Sequence, residues 1–498
     1  MQTPLPKSLP RICVALGLPN PDALLKAAEL EIKDGNTFLE FRLDYLASPA
    51  SGLAVIKRLV KRNPELYVLA TCRHKANHGG FTGSVDDQIE ILMGAAEAGA
   101  RLLDLEVESA ELGKKRLPDL RRNAALVVSY HNFESTPALS GAWARLRRLE
   151  ADAYKLVTTA RKPADNLRMV EFFRVKRESP LIAFAMSEIG VPTRILSVGA
   201  GCMFTYAAPL EAEGTAPGQI PAKLMRSLYR ADKLSKRSRV FGVIADPVAH
   251  SKSPQLHNRA FQSKRIDAVY LPFRVASAAL GDWMKLAEKL PVSGFSVTIP
   301  HKQRIVRYLD TVDPLARRIG AVNTVWRKGG KWRGANTDVA GILKPLEQRR
   351  RLTHAHVLLA GYGGAARAAA FALHDAGAQI TITGRDATRA QALARAVDAD
   401  VVTVKRAEQQ DYDIVLNATP VGMHPDCDAC LFRERVPGEV VFDMVYNPRE
   451  TTLLKMARDQ RRTVISGLEM FLEQAAEQFE IWTGETAPRA VMRQALEL

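Results

Sequence analysis

Eight short apolar runs alternate with stretches of helical period, and this alternation constrains the N-terminal part of the chain most. The runs are Ile12–Leu16, Phe38–Tyr45, Tyr67–Arg73, Leu102–Val107, Leu126–His131, Tyr154–Thr158, Leu181–Ser187 and Met203–Ala208. Between them lie helical patterns such as Ala23–Ile32, Val55–Arg62, Gln88–Ala98 and Leu167–Val175. Strands joined by helices imply a parallel sheet, because parallel neighbours need a long crossover. Eight such units over roughly 225 residues predict a (β/α)8 barrel. A doubly wound open sheet is the alternative that the pattern alone leaves open.

A helix predicted over Gln219–Leu234 runs into Ser235-Lys-Arg-Ser-Arg239, a basic stretch with no apolar residue. We place a linker there, at 235–239, after a first domain spanning 1–234. A strand at Val240–Ile244 opens a second α/β region, which fits 498 residues at about 150 per folding unit. The formal charge of +16 raises nucleic acid as a partner. The densest clusters, 226–239 and 349–351, lack the aromatic interleaving of single-strand binders, so no nucleic acid is expected. A solvated basic surface, with anionic small molecules as ligands, accounts for the charge. Pro180–Met186 is among the longest apolar runs, far short of the roughly 20 residues that span a bilayer. Five cysteines make no disulfide framework, and Cys427-x-x-Cys430 beside His424 lacks a second pair for zinc. Reduced thiols, no metal and a cytoplasmic home are expected, as no secretory signal is visible over Met1–Arg11.

The active face of a parallel barrel is lined by polar residues at strand C-termini. Those ends read Glu40, Arg42, Arg73, Glu106, His131, Lys155 and Ser187, with Arg194, Thr215 and Gln219 in the loops that follow. Lys155 interrupts an apolar strand, where cationic neighbours would make it a neutral nucleophile toward a ketone. The resulting iminium acidifies the adjacent carbon, His131 can shuttle the proton, and arginines supply planar forks for a carboxylate.

Glu40-Phe-Arg42-Leu-Asp44, Thr71-Cys-Arg73, Ser129-Tyr-His131, the strand bearing Lys155, Arg194 and Ala216-Pro-Gly-Gln219 together resemble type I 3-dehydroquinate dehydratase over about residues 10–230. The resemblance implies a Schiff base at Lys155, a general acid/base at His131, and substrate contacts from Glu40, Arg42, Arg73, Arg194, Thr215 and Gln219. Two positions depart. Asn77 stands where the family usually has Glu, which would either lower activity or leave the orienting of His131 to another residue. Thr215 replaces a Ser and keeps the hydroxyl.

In the second region, Val357-Leu-Leu-Ala-Gly361-Tyr-Gly363-Gly364-Ala365-Ala366 reads strand, glycine turn, helix, with a further strand at Gln379–Thr383. That context makes GxGxxA a dinucleotide site with its anion pocket at the helix N-terminus. After the second strand, Arg385 and Arg389 favour a 2′-phosphate and hence NADP, whereas Asp386 favours NAD. Upstream, hydroxyls and amides at strand ends suit a polyhydroxylated ligand, and Lys302 with Asp338 could handle a proton.

Ala249-His-Ser251-Lys-Ser253-Pro, Gly294-Phe-Ser-Val-Thr298-Ile-Pro-His-Lys302, Gly320-Ala-Val-Asn323-Thr and Gly334-Ala-Asn-Thr-Asp338 form an ordered set. Asn417-Ala-Thr-Pro-Val-Gly-Met423, Phe442-Asp-Met-Val-Tyr446 and Gly467 with Gln474 continue it, and the whole resembles shikimate dehydrogenase over about 240–490. The resemblance implies Lys302 and Asp338 as the catalytic pair and Ser251, Ser253, Thr298, Asn323, Tyr446 and Gln474 around shikimate. Gly361, Gly363, Gly364, Ala365, Arg385 and Arg389 would hold NADP. It also implies a substrate lobe at 240–340, a Rossmann-like NADP lobe at 341–465, and C-terminal helices at 466–498 that return to the substrate lobe.

Jointly the halves imply a bifunctional enzyme, monomeric or homodimeric: dehydration of 3-dehydroquinate, then NADPH-dependent reduction of 3-dehydroshikimate to shikimate. Two alternatives stand beside it. One is an NAD-dependent quinate or shikimate dehydrogenase of quinate catabolism. The other is a regulatory pseudoenzyme, which retention of Lys155, His131, Lys302 and Asp338 argues against.

Overall fold

A computed structural model describes residues 5–6, 8–175, 178–290 and 292–497. Residues 1–4 and 7 of the leader reading lie outside them. The chain divides into two compact units: residues 1–240 with 247–249 and 267–292, and residues 241–246, 250–266 and 293–498.

The first unit holds eight parallel strands: β1 (Ile12–Leu16), β2 (Phe38–Arg42), β3 (Tyr67–Thr71), β4 (Leu102–Glu106), β5 (Ala125–His131), β6 (Ala153–Thr159), β7 (Leu181–Met186) and β8 (Thr205–Ala207). They pair in chain order, and β8 returns to β1. The barrel is nearly closed: the Met203 N–H donates to the Leu181 carbonyl at 2.9 Å across the remaining gap between β8 and β7. The connecting helices start on local signals. Asn20 caps Pro21–Lys33, with proline in the first turn, and Ser84 and Asp87 form a capping box on Val85–Glu97.

The expected helix over Gln219–Leu234 is shorter than its pattern. It spans Ala222–Ser227, then breaks at Arg230 (φ 51°) before a 3-10 turn at Ala231–Lys233. Arg11 explains the break, since its guanidinium takes the carbonyls of Asp232 and Leu234 at 3.1 and 2.9 Å. The run Phe38–Tyr45 likewise ends as strand at Arg42 and turns at Leu43–Tyr45.

The second unit carries a mixed sheet in which Arg239–Ala245, Val292–Val297, Thr324–Lys328, Lys331–Ala335 and Thr311–Val312 lie in that order. Its other sheet is wholly parallel, ordered Asp400–Val402, Gln379–Thr383, His356–Ala360, Tyr412–Asn417, Gly438–Asp443, Thr463–Ile465. That is the doubly wound dinucleotide order, in which a crevice opens where successive strands run in opposite directions across the sheet. The alanine-rich helix Gly364–Asp375 seals it, with Ala366, Ala368, Ala369 and Ala370 buried. Helix Gly467–Thr483 packs onto the mixed sheet, where the Trp482 indole donates to the Val325 carbonyl at 3.1 Å.

Candidate active sites

Side chains alternate along a strand, so every second residue faces the barrel interior. The interior floor is apolar and includes Phe38, Leu69, Leu102, Val127, Ala153, Ile182 and Phe204. Two residues further along each of β2–β6 the same parity becomes polar: Glu40, Thr71, Asp104, Ser129 and Lys155, with Tyr206 on β8. A step above lie Arg42, Arg73, Glu106 and His131. The barrel thus places a charged layer on a dry floor.

Lys155 is 4 % exposed. Its Nζ donates to Asp104 Oδ2 at 2.9 Å and to the Tyr206 hydroxyl at 2.9 Å, with Glu40 Oε1 at 3.9 Å. The cationic surroundings expected for Lys155 are therefore not what its amine touches; it meets carboxylates. Burial would raise the Asp104 carboxyl, but Lys155, Arg73 and the Ser129 hydroxyl (2.6 Å) hold it below the usual range. Thr71 donates to Glu40 at 2.7 Å. Asp104 and Tyr206 were not singled out in the sequence. Their signal was parity: Asp104 shares a face with Leu102 and Glu106.

His131 ends β5. Burial first, then the charges of Arg73, Lys155 and Arg42, push its imidazole well below the ordinary value. Asn77 does not orient it, because its amide donates to Glu106 Oε1 at 3.3 Å. The ring stacks on Phe133 at 5.8 Å and 16°, and His78 backs Phe133 at 4.3 Å. The described partner of the His131 ring is thus aromatic.

The arginines differ in what holds them. Arg42 forms a bidentate pair with Asp44 (2.9 and 2.7 Å), and Asp44 also accepts from the Gly80 N–H at 3.0 Å. Arg73 reaches Asp104 only at 3.7 Å, and its Nε has no partner. Arg194 is 1 % exposed, and no carboxylate lies within 4 Å of it among the described residues. Its two long bonds run to the carbonyls of Tyr206 (3.4 Å) and Pro217 (3.5 Å), and Nε is orphaned. Burial lowers its guanidinium to about 9. A buried cation without a counter-ion is costly and marks a place for an anionic ligand. Gln219 donates to Thr215 Oγ1 at 3.3 Å and leaves its own buried Oε1 unpartnered.

In the second unit Lys302 and Asp338 meet at 2.5 Å. Asp338 begins helix Asp338–Glu347. Asn323 donates to its other oxygen at 2.7 Å and accepts from the Thr324 hydroxyl and the Thr337 N–H at 2.7 and 2.8 Å. Gln478, absent from the sequence candidates, donates to the Asn323 carbonyl (3.3 Å) and to Thr324 Oγ1 (3.0 Å) while accepting from Ser296 (2.8 Å). Ser251 accepts from the Ser253 N–H at 3.3 Å. Thr298 is half-buried, and its carbonyl accepts from the His301 N–H at 2.8 Å. Tyr446 packs on Phe471 at 5.4 Å, and Gln474 donates to the Phe471 carbonyl at 3.0 Å. The contacts join Lys302, Asp338 and Asn323 into one network, Ser251 with Ser253, and Tyr446 with Gln474 through Phe471.

The dinucleotide motif suits its group. Gly361 sits at φ 116°, where a Cβ would come within 3.0 Å of the Ala418 carbonyl. Space in front of Gly363 and Gly364 is open, and Gly363 caps helix Gly364–Asp375, so a pyrophosphate can approach past Ala365. Arg385 and Arg389 are exposed, and Arg389 lies over the Tyr362 ring at 4.7 Å. Asp386 accepts from the Arg389 N–H at 3.0 Å as the cap of helix Ala387–Ala396. One oxygen of its carboxylate therefore serves a helix end. No group of three or more potential metal ligands occurs among the described residues, and Cys427 and Cys430 are free.

These features define the class: an α/β enzyme of two halves, a lysine-centred barrel and a dinucleotide-fold oxidoreductase. The model for type I 3-dehydroquinase matches residues 12–236. Models for the shikimate dehydrogenase substrate binding domain, shikimate/quinate 5-dehydrogenase and the shikimate 5′-dehydrogenase C-terminal domain match 243–325, 345–425 and 467–497. The chloroplastic bifunctional 3-dehydroquinate dehydratase/shikimate dehydrogenase of Arabidopsis thaliana is 34 % identical over 496 residues, 95 % of this chain and 81 % of that protein. A shikimate dehydrogenase (NADP(+)) of Bacillus cereus is 40 % identical over 269 residues, 51 % of this chain and 96 % of its own. A crystal structure of a shikimate dehydrogenase in complex with NADP+ aligns at TM-score 0.50 and 38 % identity, covering 52 % of this chain and 95 % of that one. The chain belongs to the bifunctional 3-dehydroquinate dehydratase/shikimate dehydrogenase family.

Proposed function

We propose that the barrel dehydrates 3-dehydroquinate to 3-dehydroshikimate and that the second unit reduces that product to shikimate with NADPH. The observation that carries this reading is that both reacting pairs stand intact in one chain: Lys155 on Asp104, and Lys302 on Asp338. A pseudoenzyme would have no use for either.

In the barrel, Lys155 forms the iminium with the substrate ketone and withdraws electrons from the neighbouring C–H bond. His131, neutral because its pKa is depressed, removes that proton and then protonates the departing hydroxyl. Arg194 binds the substrate carboxylate, while Glu40, Arg42, Arg73, Thr215 and Gln219 surround the rest of the ring. In the second unit, NADPH supplies a hydride to the ketone when bound. Lys302 gives a proton to the ketone oxygen, with Asp338 holding its ammonium in place. Ser251, Ser253, Thr298, Asn323, Tyr446 and Gln474 orient the hydroxyls and carboxylate. Arg385 and Arg389 take the 2′-phosphate, and the backbone from Gly361 to Ala365 takes the pyrophosphate.

The site assignments are tested by assaying each half-reaction in Lys155→Ala and Lys302→Ala chains. Each substitution should abolish one reaction and spare the other; loss of neither would refute the assignments. Among the described residues no helix is long and apolar enough to cross a membrane. Five free cysteines suit a reducing compartment, which we take to be the cytoplasm, and cell fractionation tests this. Light scattering would decide between monomer and homodimer.

A further inference from the structure

We propose that the Tyr206 hydroxyl is a catalytic proton relay for formation of the Lys155 Schiff base, an inference that rests on the Schiff-base reading above. Three observations carry it. Tyr206 points from β8 into the barrel interior, and its hydroxyl lies 2.9 Å from Lys155 Nζ, the atom that bonds to substrate. The ammonium also rests over its ring, 4.1 Å from the centroid. Lastly, the amine's other polar neighbours, Asp104 at 2.9 Å and Glu40 at 3.9 Å, are acceptors when ionised and carry no proton to give. Tyr206 is the group touching Nζ that both donates and accepts.

The step balances as follows. The Lys155 ammonium passes one proton to the Asp104 carboxylate that accepts from it at 2.9 Å, and the free amine forms a C–N bond to the ketone carbon as the C=O π pair moves to oxygen. The adduct then carries N⁺ and O⁻ on one carbon, so a hydroxyl bonded to the nitrogen is also within reach of the oxygen. Tyr206 accepts a proton from nitrogen and hands its own to oxygen, giving the neutral carbinolamine. Asp104 returns its proton to that hydroxyl, the C–O bond breaks, water leaves and the iminium remains. The three protons of the ammonium end as one on the iminium nitrogen and two on water. Tyr206 stays neutral throughout. Burial, with Glu40 and Asp104 nearby, raises its phenol well above the ordinary value, so a relay suits it and a lasting tyrosinate does not.

The test is rapid-quench borohydride trapping of the full-length chain with 3-dehydroshikimate, read by intact mass, in wild type and Tyr206→Phe. The relay predicts that Tyr206→Phe slows imine formation about 100-fold, while equilibrium affinity for the ketone changes less than about twofold and reduction by the second unit is unaffected. A trapping rate within twofold of wild type overturns the relay. No trapped adduct in wild type overturns the Schiff-base reading itself, so the two failures are separable. Should the Phe chain misfold, wild type alone decides. Two protons moving through Tyr206 make the rate depend quadratically on deuterium fraction, and a linear dependence refutes the relay.

Discussion

Arg194→Met should make the barrel more stable and the dehydratase worse. The guanidinium is 1 % exposed, lacks a carboxylate partner among the described residues and is pushed by burial to about 9. At about 1.4 kcal/mol per pKa step, holding that charge inside the ligand-free fold costs on the order of 5 kcal/mol. Methionine keeps most of the aliphatic length and gives up two long bonds to the carbonyls of Tyr206 and Pro217, worth about 1 kcal/mol each at most, and the stacking of the guanidinium over the Phe184 ring at 4.4 Å, worth about 1–2 kcal/mol. A net gain of roughly 1 kcal/mol remains, which raises Tm by a few degrees in a unit of this size. The same change removes the fork proposed to meet the substrate carboxylate. Charge-assisted bonds contribute about 1.5–3 kcal/mol each, so KM for 3-dehydroquinate should rise about 100-fold, with a smaller fall in kcat. Thermal unfolding and the ultraviolet absorbance of the conjugated enone product read both effects. A Met chain that unfolds earlier than wild type with an unchanged KM would show that Arg194 is a structural arginine and refute the reasoning.

Other consequences are open to measurement. His131 is neutral in the free enzyme and protonates only at a pH well below 6.5, so the acid limb of the dehydratase kcat/KM profile should fall below pH 6.5. The sign for folding is the same: its stabilising contribution is present above the unfolded value near 6.5 and is lost as pH falls through the depressed folded value. An acid limb centred at or above 6.5 would contradict this. Asp386→Ala should cost about 1 kcal/mol through the lost cap and leave the NADP/NAD preference unchanged by isothermal titration; a shift toward NADP would show that the carboxylate opposes the 2′-phosphate. Arg389→Ala should weaken NADP at least tenfold and leave NAD unchanged, and equal losses for both would remove the arginine from the 2′-phosphate site. Lys302→Met should lower kcat for reduction by about 10²–10⁴-fold with NADPH affinity unchanged.

The order of elements was legible because parallel strands in a barrel announce themselves as apolar runs at regular spacing; all eight predicted runs hold observed strands. The rim chemistry was legible where a polar residue broke an apolar run, as with Lys155. Partners were less so. Asp104 sits between leucines and reads as an ordinary strand carboxylate until the β4–β5–β6 register sets it beside Ser129 and Lys155. Tyr206 and Gln478 come from distant sequence, one on the last barrel strand and one on a C-terminal helix. Sequence could not tell which arginines were already paired: Arg42 and Arg194 look alike until Asp44 is found against one and, among the described residues, no carboxylate near the other. Asp386 was ambiguous in sequence for a local reason, because a carboxylate at a strand tip is equally well placed to cap the helix that follows.

The central claim is that one chain performs two consecutive steps. Purified protein with 3-dehydroquinate and NADPH as its only substrates should consume NADPH absorbance, with little turnover when NADH replaces it. NADPH that stays unchanged with 3-dehydroquinate, and also with 3-dehydroshikimate supplied directly, would contradict the account.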